Sequence, residues 1–508
     1  MDTQLPEKPR EGWGFGEVLR LSWPASLTML NTTMLKFVDG LMVSFVGPAP
    51  FSAQFLGGMF SFVPESFAIG ILMVVNTYVS QNLGAGRLRQ TGLYAWGGMA
   101  IAMVFACCIA PLALVAGPLF AMFGHSAEVT ALETMYFRYM VISALVTLPT
   151  RVLEQFFFGI HRPRIVLVAS VFANGFNVLA NYALIFGKFG FPAMGLEGAA
   201  IGSVVSWVLQ FVLLLAVFLA PSLRITYATN LFRAVRLRHC LDLVRVGWPA
   251  GVQLCNDIAS WTLFQAALIG PMGTEHLAAS TAAMRYMGIS FMPAVGIGVA
   301  ATAIIGRCIG QGRPDLARRR AHAAVTAAMV YMGVCGILFT IFRHALVRFF
   351  VHVGPDEAAQ AEVIVGIGTK ILVCAAVFQL FDAVGIVFIG ALRGAGDTRW
   401  PMGVTIVLSW GLVMGGGAAA VLLLPQLSSV GPWLAASLYV VVLGAVMAWR
   451  FESGAWRKID LLGRLGAGVA APLPPSPIVP AEAPPPPPAD ALRTHKTRGD
   501  GRPPGVLP

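Results

Sequence analysis

Charge is scarce in this sequence. Asp, Glu, Lys and Arg together make up 12% of the 508 residues, against about 25% in a water-soluble domain. Hydrophobic residues supply 57%. A soluble core stops growing at about 250–300 residues, so apolar sequence on this scale cannot all be buried against itself, and lipid must solvate most of it. Acids are scarcer than bases, 24 against 35, leaving a net charge of +11. In a soluble protein that balance would suggest nucleic acid. Beside so much apolar sequence it fits basic loops at an anionic membrane face, and no nucleic-acid partner is expected. Cysteine is sparse and odd in number: seven residues, most of them in apolar stretches (Cys107, Cys108, Cys255, Cys335, Cys374), with no CxxC pair. Disulfides and thiolate metal sites are therefore not expected. A Walker motif, an HExxH motif and any loop long enough for a catalytic domain are missing too. Enzyme chemistry and bound cofactors are not indicated. Energy has to come from an ion gradient or from the substrate's own gradient.

What the chain has is apolar sequence in pieces of membrane length. A spanning helix needs about 20 such residues. Twelve spans fit, near 18–46, 53–80, 93–121, 130–156, 165–187, 197–220, 246–270, 277–305, 322–344, 362–391, 400–424 and 431–450, with Gly, Pro or charge in every gap. The fold class is an all-α polytopic membrane protein. Residues 1–16 are polar and precede no small-residue cleavage site, so they read as a cytoplasmic segment leading into a retained first helix. Sixteen Arg residues lie in or beside the even-numbered connections, among them Arg87, Arg162, Arg236 and Arg318. The odd-numbered ones hold only Lys188, Arg343 and Arg348. That asymmetry places both termini in the cytoplasm, and a multi-pass protein of the inner (plasma) membrane is expected.

The sequence also repeats. Trp23-Pro24-Ala25 recurs as Trp248-Pro249-Ala250 at an offset of 225, and Gly84-Ala85-Gly86-Arg87 recurs as Gly310-Gln311-Gly312-Arg313 at 226. Each half is then six spans: a first lobe over 17–220, a basic linker over 221–245 and a second lobe over 246–452. Both halves start from the same side, so the repeat is parallel, a design used by transporters. The glycine motifs lack the lysine, the hydroxyl residue and the strand of a phosphate loop, and read as turns. Prolines 24, 64, 149, 249 and 293 inside spans predict bent helices. Residues 453–508 form a Pro-rich cytoplasmic tail expected to be disordered.

Acids inside spans stand out, because a mid-bilayer charge costs at least about 2.5–3.5 kcal/mol. Asp39, Glu65, Asp257 and Asp382 are the four recognised. Helical spacing groups Thr28, Thr32 and Leu35 with Asp39; Gln253, Trp261 and Phe264 with Asp257; and Gln379 with Asp382. Ser170, Asn174, Asn177 and Asn181 form an amide stripe. If these faces line a cavity between the halves, their oxygens suit a hard cation such as Na⁺, a buried carboxylate suits a proton, and acids beside aromatic rings suit an organic cation. The competing reading is structural: asparagines that hold helices together, and acids that neutralise Lys36, Arg285 or Lys370. Arg285 is expected to pair with an acid, and Glu65 either lines the cavity or serves as a counter-charge.

Taken in order, these features resemble the multidrug and toxic compound extrusion (MATE) family, in its NorM-like branch. The motifs are Val38-Asp39-Gly40, Gly84-Ala85-Gly86-Arg87, Asn177 to Asn181 running into Gly195-Leu196-Glu197-Gly198, Gly247-Trp248-Pro249 with Asp257, Phe291-Met292-Pro293, Asp382-Ala383 and Leu392-Arg393-Gly394. The resemblance covers roughly residues 15–450. It implies two six-helix lobes and a cation-coupled antiporter of small organic, mainly cationic, compounds, working as a monomer in the bilayer. It assigns Asp257 and Asp382, with Gln253 and Gln379, to a second-lobe ion or substrate site, and Asp39, Asn177, Asn181 and Ser203 to a first-lobe cation site. Trp261, Phe264, Glu65 and Arg285 are placed as cavity or counter-charge residues. Na⁺ or H⁺ is the coupling ion, with Na⁺ expected at either acid group. Ser280-Thr281 replaces a His-Gln pair of some relatives, and Asn181 stands where others carry an acid. Two alternatives stay open: a flippase of lipid-linked precursors from the same superfamily, which should prefer a basic cavity, and a membrane-embedded enzyme.

Overall fold

The computed structural model describes residues 14–350 and 358–463, and among them every regular element is helical. The polar start over 1–13 and the Pro-rich segment beyond 463 lie outside the described residues. Twelve long helices carry the chain: α1 (Phe15–Ser44), α2 (Pro48–Gly84), α3 (Leu88–Ala113), α4 (Ala127–Gly159), α5 (Pro163–Phe186), α6 (Gly195–Phe218), α7 (Leu237–Leu263), α8 (Thr274–Gly310), α9 (Pro314–Phe350), α10 (Ala358–Ala395), α11 (Arg399–Leu423) and α12 (Val430–Glu452). Ten are long and apolar enough to cross a bilayer. The other two, α1 and α7, are the first helices of the two halves. Ser, Thr and Asn dilute their apolar runs, and they carry Glu17, Arg20, Lys36 and Asp39, and Arg238, Asp242, Arg245 and Asp257, respectively. The two helices least suited to lipid each hold one of the candidate acids, Asp39 and Asp257.

Local sequence sets the helix ends. Proline opens α2, α5 and α9, where its missing N–H costs nothing. Ser126 caps α4 by accepting from the Val129 N–H. Five helices stop in one way; α5 does so at Gly187 (φ +66°), with the Lys188 N–H on Ala183 O (2.9 Å). α2, α4, α8 and α10 end in a left-handed residue: Gly86 at φ +72°, His161 at +60°, Gly312 at +71° and Gly396 at +90°. The next N–H then reaches back to close a Schellman turn, Arg87 to Asn82 O (2.9 Å), Arg162 to Phe157 O (2.9 Å), Arg313 to Cys308 O (3.0 Å) and Asp397 to Leu392 O (2.8 Å). The repeated glycine motifs are therefore turns. His161 takes the same conformation with a side chain, which is strained.

All five span prolines sit within helices. The irregularities fall elsewhere: α2 is interrupted at Met73, beyond Pro64, α7 runs on into a π-helical turn at Phe264–Ile269, and α11 contains another at Ser409–Gly416. The last follows its glycines: Gly411, Gly415 and Gly416 remove the side chains that would hold the regular register.

Two six-helix lobes result. One apolar core gathers side chains of α2–α6, with Phe120, Phe156, Phe157 and Phe218 fully buried; the other gathers α8–α12 around Trp433, Met447 and Phe451. The lobes meet through α1 on α8 and α2 on α7. Hydrogen bonds across this seam run from Ser26 to Pro293 O (2.7 Å), Asn76 to Val299 O (3.3 Å), Thr77 to Arg393 O (2.9 Å) and Gln81 to Gly394 O (2.9 Å). Glu17 of α1 pairs with Arg320 of α9 (3.0 Å) and, at 3.9 Å, with Arg307 of α8. Glycines bring the backbones together: a Cβ on Gly84 would lie 2.1 Å from Arg307 O, and one on Gly310 would lie 2.0 Å from Gln81 O. These contacts all belong to the half of the bundle nearer the termini. Ser66 Oγ of α2 also lies 3.1 Å from Cys255 Sγ of α7, so the seam extends to the middle of the bundle.

Candidate functional site

The amide stripe of α5 divides into two parts. Nearer the terminus-bearing end it joins helices: Asn31 donates to Ser170 Oγ (3.4 Å) and Asn174 donates to Asn31 O (3.3 Å), tying α1 to α5. Further along, Asn181 donates to Asp39 Oδ1 (2.8 Å) and to Asn177 Oδ1 (3.1 Å), and Asn177 Nδ2 lies 3.5 Å from Ser203 Oγ on α6. Asn177, Asn181 and Ser203 are buried, while Asp39 is half-buried and reaches solvent. The Asn181 carbonyl oxygen is buried with no hydrogen-bond partner. It lies against Gly202, where a Cβ would approach it to 2.1 Å. A carboxylate and an orphaned amide oxygen on adjoining helices are donors suited to a hard cation. Among the described residues, no three His, Cys, Asp or Glu side chains converge, so a softer-metal site is not built. Thr28 and Thr32, grouped with Asp39 by spacing, donate to backbone carbonyls of their own helix.

The second lobe is arranged differently. Asp257 on α7 and Asp382 on α10 are half-buried and close enough to interact electrostatically, with Tyr439 of α12 near both and Arg393 near Asp257. Neither acid has a basic group within ion-pair distance among the described residues, and the same is true of Asp39 and Glu65. Gln253 and Gln379 are buried and already committed, Gln253 donating to Thr405 Oγ1 on α11 (3.1 Å) and Gln379 to Ser290 Oγ on α8 (2.8 Å). They brace the helices that carry the acids. Asn256 forms a third brace, donating to Ser409 Oγ (2.9 Å) and accepting from Trp410 Nε1 (2.9 Å).

Several expectations need correction. Phe264, expected to line a cavity, is fully buried against Trp433 (5.3 Å between ring centroids). Trp261 is only partly buried and packs edge-on to Phe264 at 5.6 Å. Arg285 does not neutralise an acid among the described residues; it is exposed on α8. The four span acids also omit Glu133 and Glu154 of α4. Glu154 accepts from Arg151 (2.8 Å) and from Gln210 (3.0 Å), and Glu133 lies 3.0 Å from His125. Arg393, counted with a connection, belongs to α10, which runs on to Ala395. His161, given no role, bridges the lobes by its ring: Nε2 lies 3.1 Å from Ala303 O and Nδ1 3.4 Å from Arg307.

The repeat does not duplicate the site. At the offset of 225, Asp257 corresponds to Thr32 and Asp39 to Phe264. Each lobe has its own acids at its own positions, and the structure does not bring Asp39 together with Asp257 or Asp382.

Comparison with known proteins agrees with this architecture. The sequence model of the MatE family matches residues 24–183 and 249–416, one segment in each lobe. The chain is 27% identical over 440 residues to a probable multidrug resistance protein NorM of Mesorhizobium japonicum, covering 85% of this chain and 92% of that one. It is 28% identical over 442 residues to the multidrug resistance protein NorM of Burkholderia vietnamiensis, covering 86% and 93%. Among solved structures, it resembles an outward-facing multidrug resistance MATE transporter at a TM-score of 0.79 and 20% identity, over 89% of this chain and all of that one. A transporter of the same superfamily from Pyrococcus furiosus gives a TM-score of 0.80 at 20% identity.

Proposed function

The chain belongs to the MatE family, and from that premise we propose that it is a secondary multidrug exporter driving small organic cations out of the cell against an inward flow of Na⁺ or H⁺. The observation that carries this reading is the pair Asp257 and Asp382. They lie half-buried between the helices of one lobe, braced by Gln253, Gln379 and Asn256, with no basic side chain in contact among the described residues. Carboxylates held this way are available to a charged guest. In the other lobe, Asp39 and the free Asn181 oxygen are available to the coupling ion.

With the termini in the cytoplasm, as the basic loops imply, most of the interlobe hydrogen bonds lie toward the inner side. In the outward-open state an external ion reaches the acids and competes with the organic cation for them. Rocking of one lobe on the other then exposes the ion to the cytoplasm, where its release favours drug binding. Ion and drug drive transport only through their differential affinity for the two states. The acidic character of the site favours cations over the polyanionic headgroups a lipid-precursor flippase would carry.

Ethidium efflux from cells stripped of their own exporters tests the proposal. Asp257→Asn and Asp382→Asn are each expected to abolish efflux while the protein still inserts in the membrane. Undiminished efflux by both variants would discard the site.

A further inference from the structure

The repeated Trp-Pro-Ala triplet belongs to a longer pattern: an acid, an arginine three residues on, and the tryptophan three residues after that. It reads Glu17, Arg20 and Trp23 in α1, and Asp242, Arg245 and Trp248 in α7, all at the offset of 225. The acids have diverged in use. Glu17 reaches Arg320 of the other lobe (3.0 Å), whereas Asp242 accepts from the Tyr94 hydroxyl (3.0 Å) and lies 3.7 Å from Arg238. The arginines and tryptophans have kept one disposition. All four are exposed, Trp23 at 44% and Trp248 at 38%, and positions three apart share a helix face. Among the described residues, Arg20 and Arg245 have no acid within ion-pair distance, and neither indole N–H has a hydrogen-bond partner. A second arginine joins each pair. Arg164, the second residue of α5, lies over the Trp23 ring at 5.7 Å from its centroid. Arg399 opens α11, the fifth helix of the second lobe, and α11 is tied to α7 there by the Thr398 hydroxyl on Val246 O (2.6 Å). Both are exposed. The exposed neighbours along the helices are apolar, Leu19 and Leu27 in α1 and Leu241 in α7. Glu17 and Ser26 bond α1 to the other lobe, and Gly247 of α7 packs backbone to backbone on Ile71, so the side chains exposed beside these contacts face away from the interlobe space.

We propose that these clusters are two headgroup sites for anionic phospholipid, one on each lobe: Arg20, Trp23 and Arg164 in the first, and Arg245, Trp248 and Arg399 in the second. The inference goes beyond the exporter reading and holds whatever the chain carries. A guanidinium presents a planar fork of N–H donors that matches the paired oxygens of a phosphodiester. Arg164, held over the Trp23 ring, keeps that fork free, and Arg20 brings a second one to the same ring. The indole is amphipathic and settles at headgroup level, where its N–H donates to a phosphate or ester oxygen. An arginine set among exposed leucines is stable neither in open water nor in hydrocarbon; it belongs at the boundary between them, which is where lipid phosphates lie. A free phosphate would meet the charge and leave the leucines bare, whereas the acyl chains of a phospholipid cover them. A zwitterionic lipid brings its own ammonium to the phosphate and needs the arginines less, so the sites select for net negative charge.

Native mass spectrometry tests this on the purified full-length protein in detergent, titrated with phosphatidylglycerol or with phosphatidylcholine of the same acyl chains. Bound lipids are counted and the affinity of each is measured. The wild type should take up two phosphatidylglycerol molecules ahead of any others, with no such step for phosphatidylcholine. Arg20→Gln and Arg245→Gln should each weaken one of the two by about fivefold, the worth of one basic residue at an anionic surface, and the combined variant should weaken both. Arg89→Gln with Arg319→Gln removes the same two charges from other exposed positions at that end and should leave both sites intact. Circular dichroism should show full helical content in every variant, because each replaced arginine is exposed. Equal weakening by the two double variants would reveal a general attraction of basic surface for acidic lipid and overturn the sites. A wild type without the two-lipid step, or a step untouched by Arg20→Gln and Arg245→Gln together, would overturn them as well. The exporter reading stands or falls separately, on ethidium efflux.

Discussion

Asn181 shows how much one side chain decides. Its amide nitrogen serves Asp39 and Asn177 together, and its carbonyl oxygen is left for a guest. Removing it in Asn181→Ala leaves the Asp39 carboxylate without its donor. That change is expected to cost about 1–3 kcal/mol of stability, as for any buried polar group stripped of its partner, and thermal unfolding in detergent would register it. Much of this pocket was legible in the sequence, because asparagines at helical spacing and a lone acid in an apolar run are conspicuous. Arg151, Glu154 and Arg393 were harder to read. A basic and an acidic residue one turn apart on α4 cancel in any count of charge, and Arg393 lies where hydropathy has already ended the span although the backbone has not. The split of the α5 stripe into helix ties and pocket was not legible either, since only the facing helices reveal which asparagine meets which partner.

Among the helices, α7 is the most instructive. Spacing puts Gln253, Asp257, Trp261 and Phe264 on one face, and that holds only while the pitch is regular. The pitch is regular as far as Leu263, and Phe264 lies in the core on Trp261 and Trp433. Periodicity names a face of the helix and not what packs on it. The twelve-span count, by contrast, needed only length and punctuation. α7 also crosses α2 backbone to backbone at the seam. A Cβ on Gly70 of α2 would lie 2.5 Å from Gly251 Cα and 2.6 Å from Ala250 O, and backbone atoms cannot step aside. Gly70→Val should force α2 and α7 apart, costing about 1–3 kcal/mol by overpacking. Hydrogen–deuterium exchange should then quicken over the segment of α2 after Met73. Unchanged exchange there would mean that the crossing is not as tight as described.

For the molecule as a whole, the duplicated halves were visible in two short motifs, whereas the divergence of their binding residues was not. Nothing in the motifs says that Asp257 stands at the repeat position of a threonine, Thr32. The halves are joined at one end by buried charge. Glu17 of the first lobe meets Arg320 and Arg307 of the second, and His161 holds a strained turn in order to reach Ala303 and Arg307. Opening that end must break these contacts, and the two buried arginines would lose their acid. Glu17→Gln is therefore expected to shift the population toward the state open at the terminus-bearing end, seen as faster exchange of the amides around Gly84 and Gly310; slower or equal exchange would argue that the latch does not hold. The central claim is that carboxylates in the two lobes are shared in turn by an inorganic ion and an organic cation. Ethidium efflux from proteoliposomes under a sodium gradient and a proton gradient, imposed separately, tests it most directly. The wild type should respond to at least one gradient, and Asp257→Asn should respond to neither; efflux that ignores both gradients, or survives the substitution intact, would contradict it.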